Sequence, residues 1–164
     1  MVLTFNNHDF IIPSGVLTSS IEEFRIEFVD NFPNSTTRQE IFNSFQNYIR
    51  DFALEISSTF SILINGSFVT KKQNPNDIDF VLFLNQELFD TSINLIERKF
   101  DTDEASIYYT KRIHAFIVRK VEHKKEGYWE YKVARAYWLG HFEKTKRRVR
   151  NIKQKKGFLE ILFS

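Results

Sequence analysis

Cysteine is absent from this chain of 164 residues. Its absence excludes a disulfide framework, a thiolate metal site and a cysteine nucleophile, and it fits a reducing compartment. Long hydrophobic runs are missing as well: none approaches the ~18 residues of a transmembrane helix. The opening MVLTFNNHDF has no basic stretch leading into an apolar one, so no signal peptide is expected. A cytoplasmic protein with no membrane partner is the expectation. Glycine occurs five times and proline three times, so each one punctuates the chain. There is no internal repeat and no low-complexity linker. Hydrophobic residues at 42% and charged residues at 27% exclude a disordered or collagen-like chain. At roughly 100–200 residues per domain, the length predicts a single domain over 1–164. Within it, 1–34 reads as a helical lead and 141–156 as a basic segment.

What is abundant is phenylalanine, with 18 residues, which points to a core of large rings. The charge is also uneven. Residues 141–156 hold eight Lys or Arg and one Glu, whereas the other 148 residues hold 15 basic and 20 acidic groups. The body is mildly acidic and one short segment is strongly basic.

Hydrophobic periodicity and turn residues outline the elements. Ser20 and Glu23 form a capping box for a helix over about 20–31, and Thr37 and Glu40 form a second for a helix to about 57. Ile41, Phe45, Tyr48 and Phe52 line one face of that second helix. Residues 59–65 read as a strand ending in Gly66-Ser67, and 68–76 as a polar loop. Residues 77–84 read as a strand with Asp77, Asp79 and Val81 on one face and Ile78, Phe80 and Leu82 on the other. A helix over 86–99 follows, then strand material at 107–110 and 112–120. A helix from Trp129 to about Arg150 is predicted to turn Val133, Tyr137, Trp138 and Phe142 inward, to be stopped by Gly157, and to lead to a buried strand at 158–163. The fold class is α/β (α+β), a small mixed β-sheet packed by helices.

The stretch that carries chemistry is Gly66-Ser67 followed, nine residues on, by Asp77-Ile78-Asp79. Spacing of two on a strand puts both carboxylates on one face, ~6.5–7 Å apart along the chain. Two hard oxygen donors at that separation suit a divalent cation such as Mg²⁺ shared with substrate phosphates. Backbone N–H groups in a Gly-Ser turn, with the Ser67 hydroxyl, approach phosphate oxygens closely. The same residues also make a plain turn and a solvated strand end.

This constellation resembles the DNA polymerase beta-like nucleotidyltransferase superfamily, in which Gly-Ser precedes Asp-x-Asp by about ten residues. Over more of its length the chain resembles a group of small bacterial nucleotidyltransferase-like proteins. The shared features are Pro13-Ser14-Gly15 with Glu22-Glu23-Phe24, the loop from Gly66 to Lys72, Pro75 to Asp79, Tyr137-Trp138, and Lys156-Gly157-Phe158. The resemblance implies a polymerase beta-like palm and transfer of a nucleoside monophosphate from an NTP to a macromolecular hydroxyl. It implies Mg²⁺ or Mn²⁺ on Asp77 and Asp79, and triphosphate contacts from Gly66, Ser67, Lys71 and Lys72. It implies RNA (tRNA included) or protein as acceptor, and a cognate toxin or antitoxin as partner in a toxin–antitoxin or phage-defence setting.

The superfamily usually adds a third carboxylate on a neighbouring strand. Here the corresponding slot holds His114, a candidate ligand and general base that brings no negative charge. Asp101, Asp103, Glu104 and Glu122 are substitutes. This departure supports an alternative reading: a catalytically weak or inactive binding module, an antitoxin or regulatory subunit, or a nucleotide sensor. The basic segment, with Lys144, Lys146, Arg147, Arg148, Arg150 and Lys153, has the charge of a nucleic-acid-binding or acidic-partner surface. Tyr128, Trp129, Tyr131, Tyr137 and Trp138 lie just upstream. An exposed ring there would stack on a base, although helical spacing assigns most of them to the core. His8, His123 and His141 read as surface residues.

Overall fold

Five strands, drawn from both ends of the chain, make the sheet on which the molecule is built. The computed structural model describes residues 3–101, 108, 111–149 and 152–164, and for 145–149, 152 and 153 the backbone alone. In chain order the elements are β1 (Thr4–Phe5), β2 (Ile11–Ile12), β3 (Gly15–Thr18), α1 (Ile21–Arg25), α2 (Arg38–Glu55), β4 (Phe60–Asn65), β5 (Ile78–Asn85), α3 (Gln86–Leu95), β6 (Ile113–Lys120), α4 (Tyr128–Glu143), β7 (Lys144–Val149), β8 (Ile152–Lys155) and β9 (Gly157–Phe163). α1 and α3 each run on into a wider π-helical turn, Ile26–Asp30 and Ile96–Phe100. The main sheet has the order β3-β9-β4-β5-β6 and is mixed: β3–β9 and β5–β6 are parallel, and the pairs between them antiparallel. This is the α+β class that the alternation of patterns predicts. No helix among the described residues is long and apolar enough to cross a membrane.

The two faces of the sheet are covered unequally. One carries α1, α2 and α3 over a core rich in phenylalanine. Phe80 of β5 meets Phe45 and Tyr48 edge-on, and Phe52 meets Phe60 and Phe100 in the same way. Such edge-to-face pairs are favourable beyond the area they bury. The Tyr48 hydroxyl donates to the Phe100 carbonyl, so its burial leaves no polar group stranded. The opposite face carries α4, through Phe142, Trp138, Leu139 and Tyr131 against Leu63, Val81, Phe83 and Phe158.

Several sequence expectations need correction. The lead over 1–34 opens with strands rather than helix, because β3 lies along β9. A Cβ on Gly157 would stand 2.6 Å from the Pro13 carbonyl oxygen, so this glycine serves strand-to-strand approach and is not a helix stop. The final helix ends at Glu143, and the basic segment that follows forms an antiparallel hairpin, β7–β8. Within α4, Val133 and Tyr137 face solvent, while Tyr131, Trp138, Leu139 and Phe142 pack inward. The strand expected at 107–110 lies outside the described residues except for Tyr108, which sits in a turn with its hydroxyl on Asp51.

The Ser20–Glu23 capping box is present. The Thr37–Glu40 box is not: the Thr37 hydroxyl donates to the Pro75 carbonyl, and Ser35 Oγ accepts from the Arg38 amide in its place. This exchange ties the start of α2 to the loop between β4 and β5. Arg38 ties it more firmly. Its side chain is fully buried, and its two terminal nitrogens donate to the carbonyls of Phe28, Phe68, Thr70 and Lys72. The guanidinium also lies 3.9 Å over the Phe32 ring. Burial lowers its pKa to about 10, so it remains protonated at neutral pH.

Removing the Arg38 fork strands several buried carbonyls, at a cost of about 3–5 kcal/mol for Arg38→Met. For a domain of this length that is roughly 10–15 °C in melting temperature. Arg38→Lys is expected to recover less than half of it, because one ammonium cannot span the four acceptors. Calorimetric melting checks both, and a loss below about 1 kcal/mol would contradict the assignment.

Candidate metal centre

β4 ends, and β5 and β6 begin, at the same edge of the sheet. Asn65 is in register with Asp79, and Asp79 with His114, so the three side chains stand side by side on the face that carries α4. The alternation predicted for β5 holds: Ile78, Phe80 and Leu82 enter the main core, and Val81 packs beneath α4. Asp77 sits one residue before the strand and joins the group from the loop. His114 Nδ1 lies 3.4 Å from Asp79 Oδ1 and 3.6 Å from Asp77 Oδ2. One ligand atom from each of the three falls within 4.8 Å of the others. Their side chains are 31%, 24% and 38% exposed for Asp77, Asp79 and His114, so the cluster is open to a ligand from solvent.

Two neighbours bear on whether a cation suits this place. A Cβ on Gly66 would stand only 2.1 Å from Asp79 Oδ2. The missing side chain at Gly66, whose φ is +83°, is what leaves room for the carboxylate. Asn65 is 8% exposed, and its Oδ1 has no hydrogen-bond partner. An orphaned buried oxygen beside two carboxylates and an imidazole is a donor set that fits a divalent cation taking O and N ligands. The residues therefore fit Mg²⁺ or Mn²⁺.

The other expected site residues divide. Ser67 follows Gly66 in the turn, where its carbonyl accepts from the Thr70 hydroxyl. Lys71 is held elsewhere, with Nζ 2.7 Å from Glu27 Oε1 and over the Phe5 ring. Lys72 is exposed and gives its carbonyl to Arg38. Glu122 pairs with Lys125. Asp103 and Glu104 lie outside the described residues, as do Arg150 and the side chains of Lys146, Arg147, Arg148 and Lys153. Arg38 and Asn65 escape sequence reasoning. Arg38 looks like any first-turn residue of an amphipathic helix, and Asn65 like the polar end of a strand.

A family model described as "Family of unknown function (DUF6932)" matches residues 3–162, from just before β1 to within β9. The chain belongs to that family. No curated protein and no solved structure gives a significant match. The family match spans the three candidate ligand residues, the Gly66 turn and the Arg38 clamp together, and it assigns none of them a role.

Gly15 and Gly66 both have positive φ, but a Cβ at Gly15 meets nothing within 4 Å. Gly15→Ala thus carries backbone strain alone, about 1–2 kcal/mol. Gly66→Ala adds the clash with Asp79 and is expected to cost about 1–3 kcal/mol more. Asp79→Ala in the Gly66→Ala background should recover that excess, and urea unfolding of the set measures the coupling. Equal losses at the two glycines would contradict the cradle.

Proposed function

We propose that the Asp77–Asp79–His114 cluster holds a divalent cation and, with the Gly66-Ser67 turn, binds a nucleoside triphosphate for nucleotidyl transfer to a macromolecular hydroxyl. The observation that carries this reading is the convergence of three ligand atoms from a loop and two adjacent strands beside a glycine whose missing side chain makes the space. The likeness of this arrangement to the Gly-Ser/Asp-x-Asp pattern of polymerase beta-like nucleotidyltransferases supports it.

Asp77 and Asp79 supply negative charge and oxygen donors. His114 supplies a third donor atom, Nδ1, which faces both carboxylates. When bound, the cation supplies charge neutralisation and polarisation of the phosphoryl oxygens. The acceptor hydroxyl oxygen forms a bond to the α-phosphorus, and the α–β anhydride bond breaks. Pyrophosphate leaves with the electron pair, and the hydroxyl proton passes to water. The chain contributes position and electrostatics, which is most of what phosphoryl chemistry asks of a protein.

A second reading rests on His114 itself. With an imidazole where the superfamily places a carboxylate, the cluster carries two negative charges rather than three. That favours a single cation and nucleotide binding without turnover. Transfer of label from α-³²P-labelled NTPs to RNA or protein separates the two. The first reading expects Mg²⁺-dependent labelling that falls at least a hundredfold in Asp77→Asn/Asp79→Asn. Full labelling by that variant would sink it, and Mg²⁺-dependent NTP binding with no pyrophosphate release would select the second.

A further inference from the structure

The basic segment is placed by the fold, not merely by sequence. β7 continues directly from α4, and β8 hands on to β9. The base of this hairpin is closed by the Lys156 amide on the Glu143 carbonyl and by the pair between Lys155 and Glu143. The base adjoins Gly157 and Phe158, at the start of β9. Phe158 stands one step beyond the Ile64–Leu159 pair, level with Asn65. Phe158, Asn65, Asp79 and His114 therefore form one row across β9, β4, β5 and β6, at one end of the sheet and on the face under α4. From β9 to β5 is two strand spacings, ~10 Å. The base of the hairpin thus lies about two strand spacings from Asp79, and a six-residue strand gives the hairpin a length of ~20 Å.

Aromatic rings stand on the same face, one beside His114 and one near the base of the hairpin. Phe116 is two residues along the same face of β6 from His114, is 44% exposed, and packs on Trp138 with ring centroids 4.8 Å apart. Tyr137, 60% exposed, stacks on His141 in the last turns of α4, just before the first lysine of the hairpin. Solvent-facing rings beside a dense run of cations are the two components of single-strand recognition: cations neutralise phosphates, and rings stack on unpaired bases. A surface for an acidic protein needs the charge but not the flat rings. Cellular strands with unpaired bases offered in loops and ends are chiefly RNA.

We infer that the β7–β8 hairpin, with Tyr137 and Phe116, is a docking arm for single-stranded RNA that presents the strand to the metal cluster. As the source of the acceptor hydroxyl, it rests on the nucleotidyltransferase reading; as a binding surface, it is tested separately. The test is fluorescence anisotropy of the full chain with a labelled 20-nucleotide single-stranded RNA, in EDTA and without nucleotide, so that the result does not depend on the cluster.

Binding is expected, with a log–log salt slope that falls by about two units in Lys146→Glu/Arg147→Glu/Arg148→Glu, at ~0.7 per phosphate contact in a single strand. Affinity in that variant should drop at least tenfold. Tyr137→Ala, an exposed change that leaves the hairpin intact, should weaken binding at least fivefold, and it keeps the test decisive if the charge-reversal variant misfolds. Competition by polyglutamate as strong as by RNA would overturn the inference in favour of an acidic protein partner. Tighter binding of single-stranded DNA, no binding at 50 mM salt, or indifference to Tyr137→Ala would overturn it as well. RNA binding without cation binding elsewhere would retire the proposed function and keep the arm; cation and nucleotide binding without RNA binding would do the reverse.

Discussion

A single guanidinium organises the part of the molecule where the chemistry is proposed. The crossover from β4 to β5 must leave one strand at Asn65, turn at Gly66, and return at Asp77 in the register that sets Asp79 beside Asn65. A polar loop of that length carries many backbone carbonyls, and several lie in the interior, where water cannot reach them. Arg38 answers four carbonyls at once, three of them in the loop and one, Phe28, at the end of the first helical segment. The planar fork fixes the directions of its donors, so it determines the path of the loop as well as satisfying it. Thr37 on Pro75 and Asn74 on the Thr36 amide extend the same seam to within two residues of Asp77. The loop is therefore tied to α2 close to where Asp77 leaves it.

Those ties explain how three polar side chains can be held together at an open edge. Carboxylates brought this close repel each other unless a cation or imidazole intervenes. The sheet register holds Asp79 and His114 together, and the Arg38 seam delivers Asp77. Gly66 removes the one steric obstacle. Apolar packing lies on both faces of the sheet beneath, the ring-rich core on one and Phe142 and Trp138 on the other.

Much of this is legible in the sequence, for identifiable reasons. β4 and β5 show strong period-two or all-apolar patterns bounded by glycine and aspartate, and α2 shows an unbroken helical stripe. The Asp77–Asp79–His114 cluster follows once β5 and β6 are placed side by side. β1 to β3 are not legible, because strands of two to four residues carry too little pattern, and β3 depends on a partner some 140 residues away. The β7–β8 hairpin is hidden because alternating cations suit a solvated helix as well as a strand ribbon. α4 misleads by its composition: Trp129, Val133 and Tyr137 look like core at helical spacing, but the sheet takes the neighbouring stripe of Tyr131, Trp138 and Phe142. The roles of Arg38 and Asn65 exist only in three dimensions, since each is defined by what lies around it.

The proposed cation-dependent nucleotide site lies at the start of β5. Calorimetric titration with a non-hydrolysable NTP analogue, with and without Mg²⁺, reads it most directly. Binding is expected to require Mg²⁺ and to disappear in Asp77→Asn. Binding of no NTP, or binding unchanged when the cation is chelated, would contradict it.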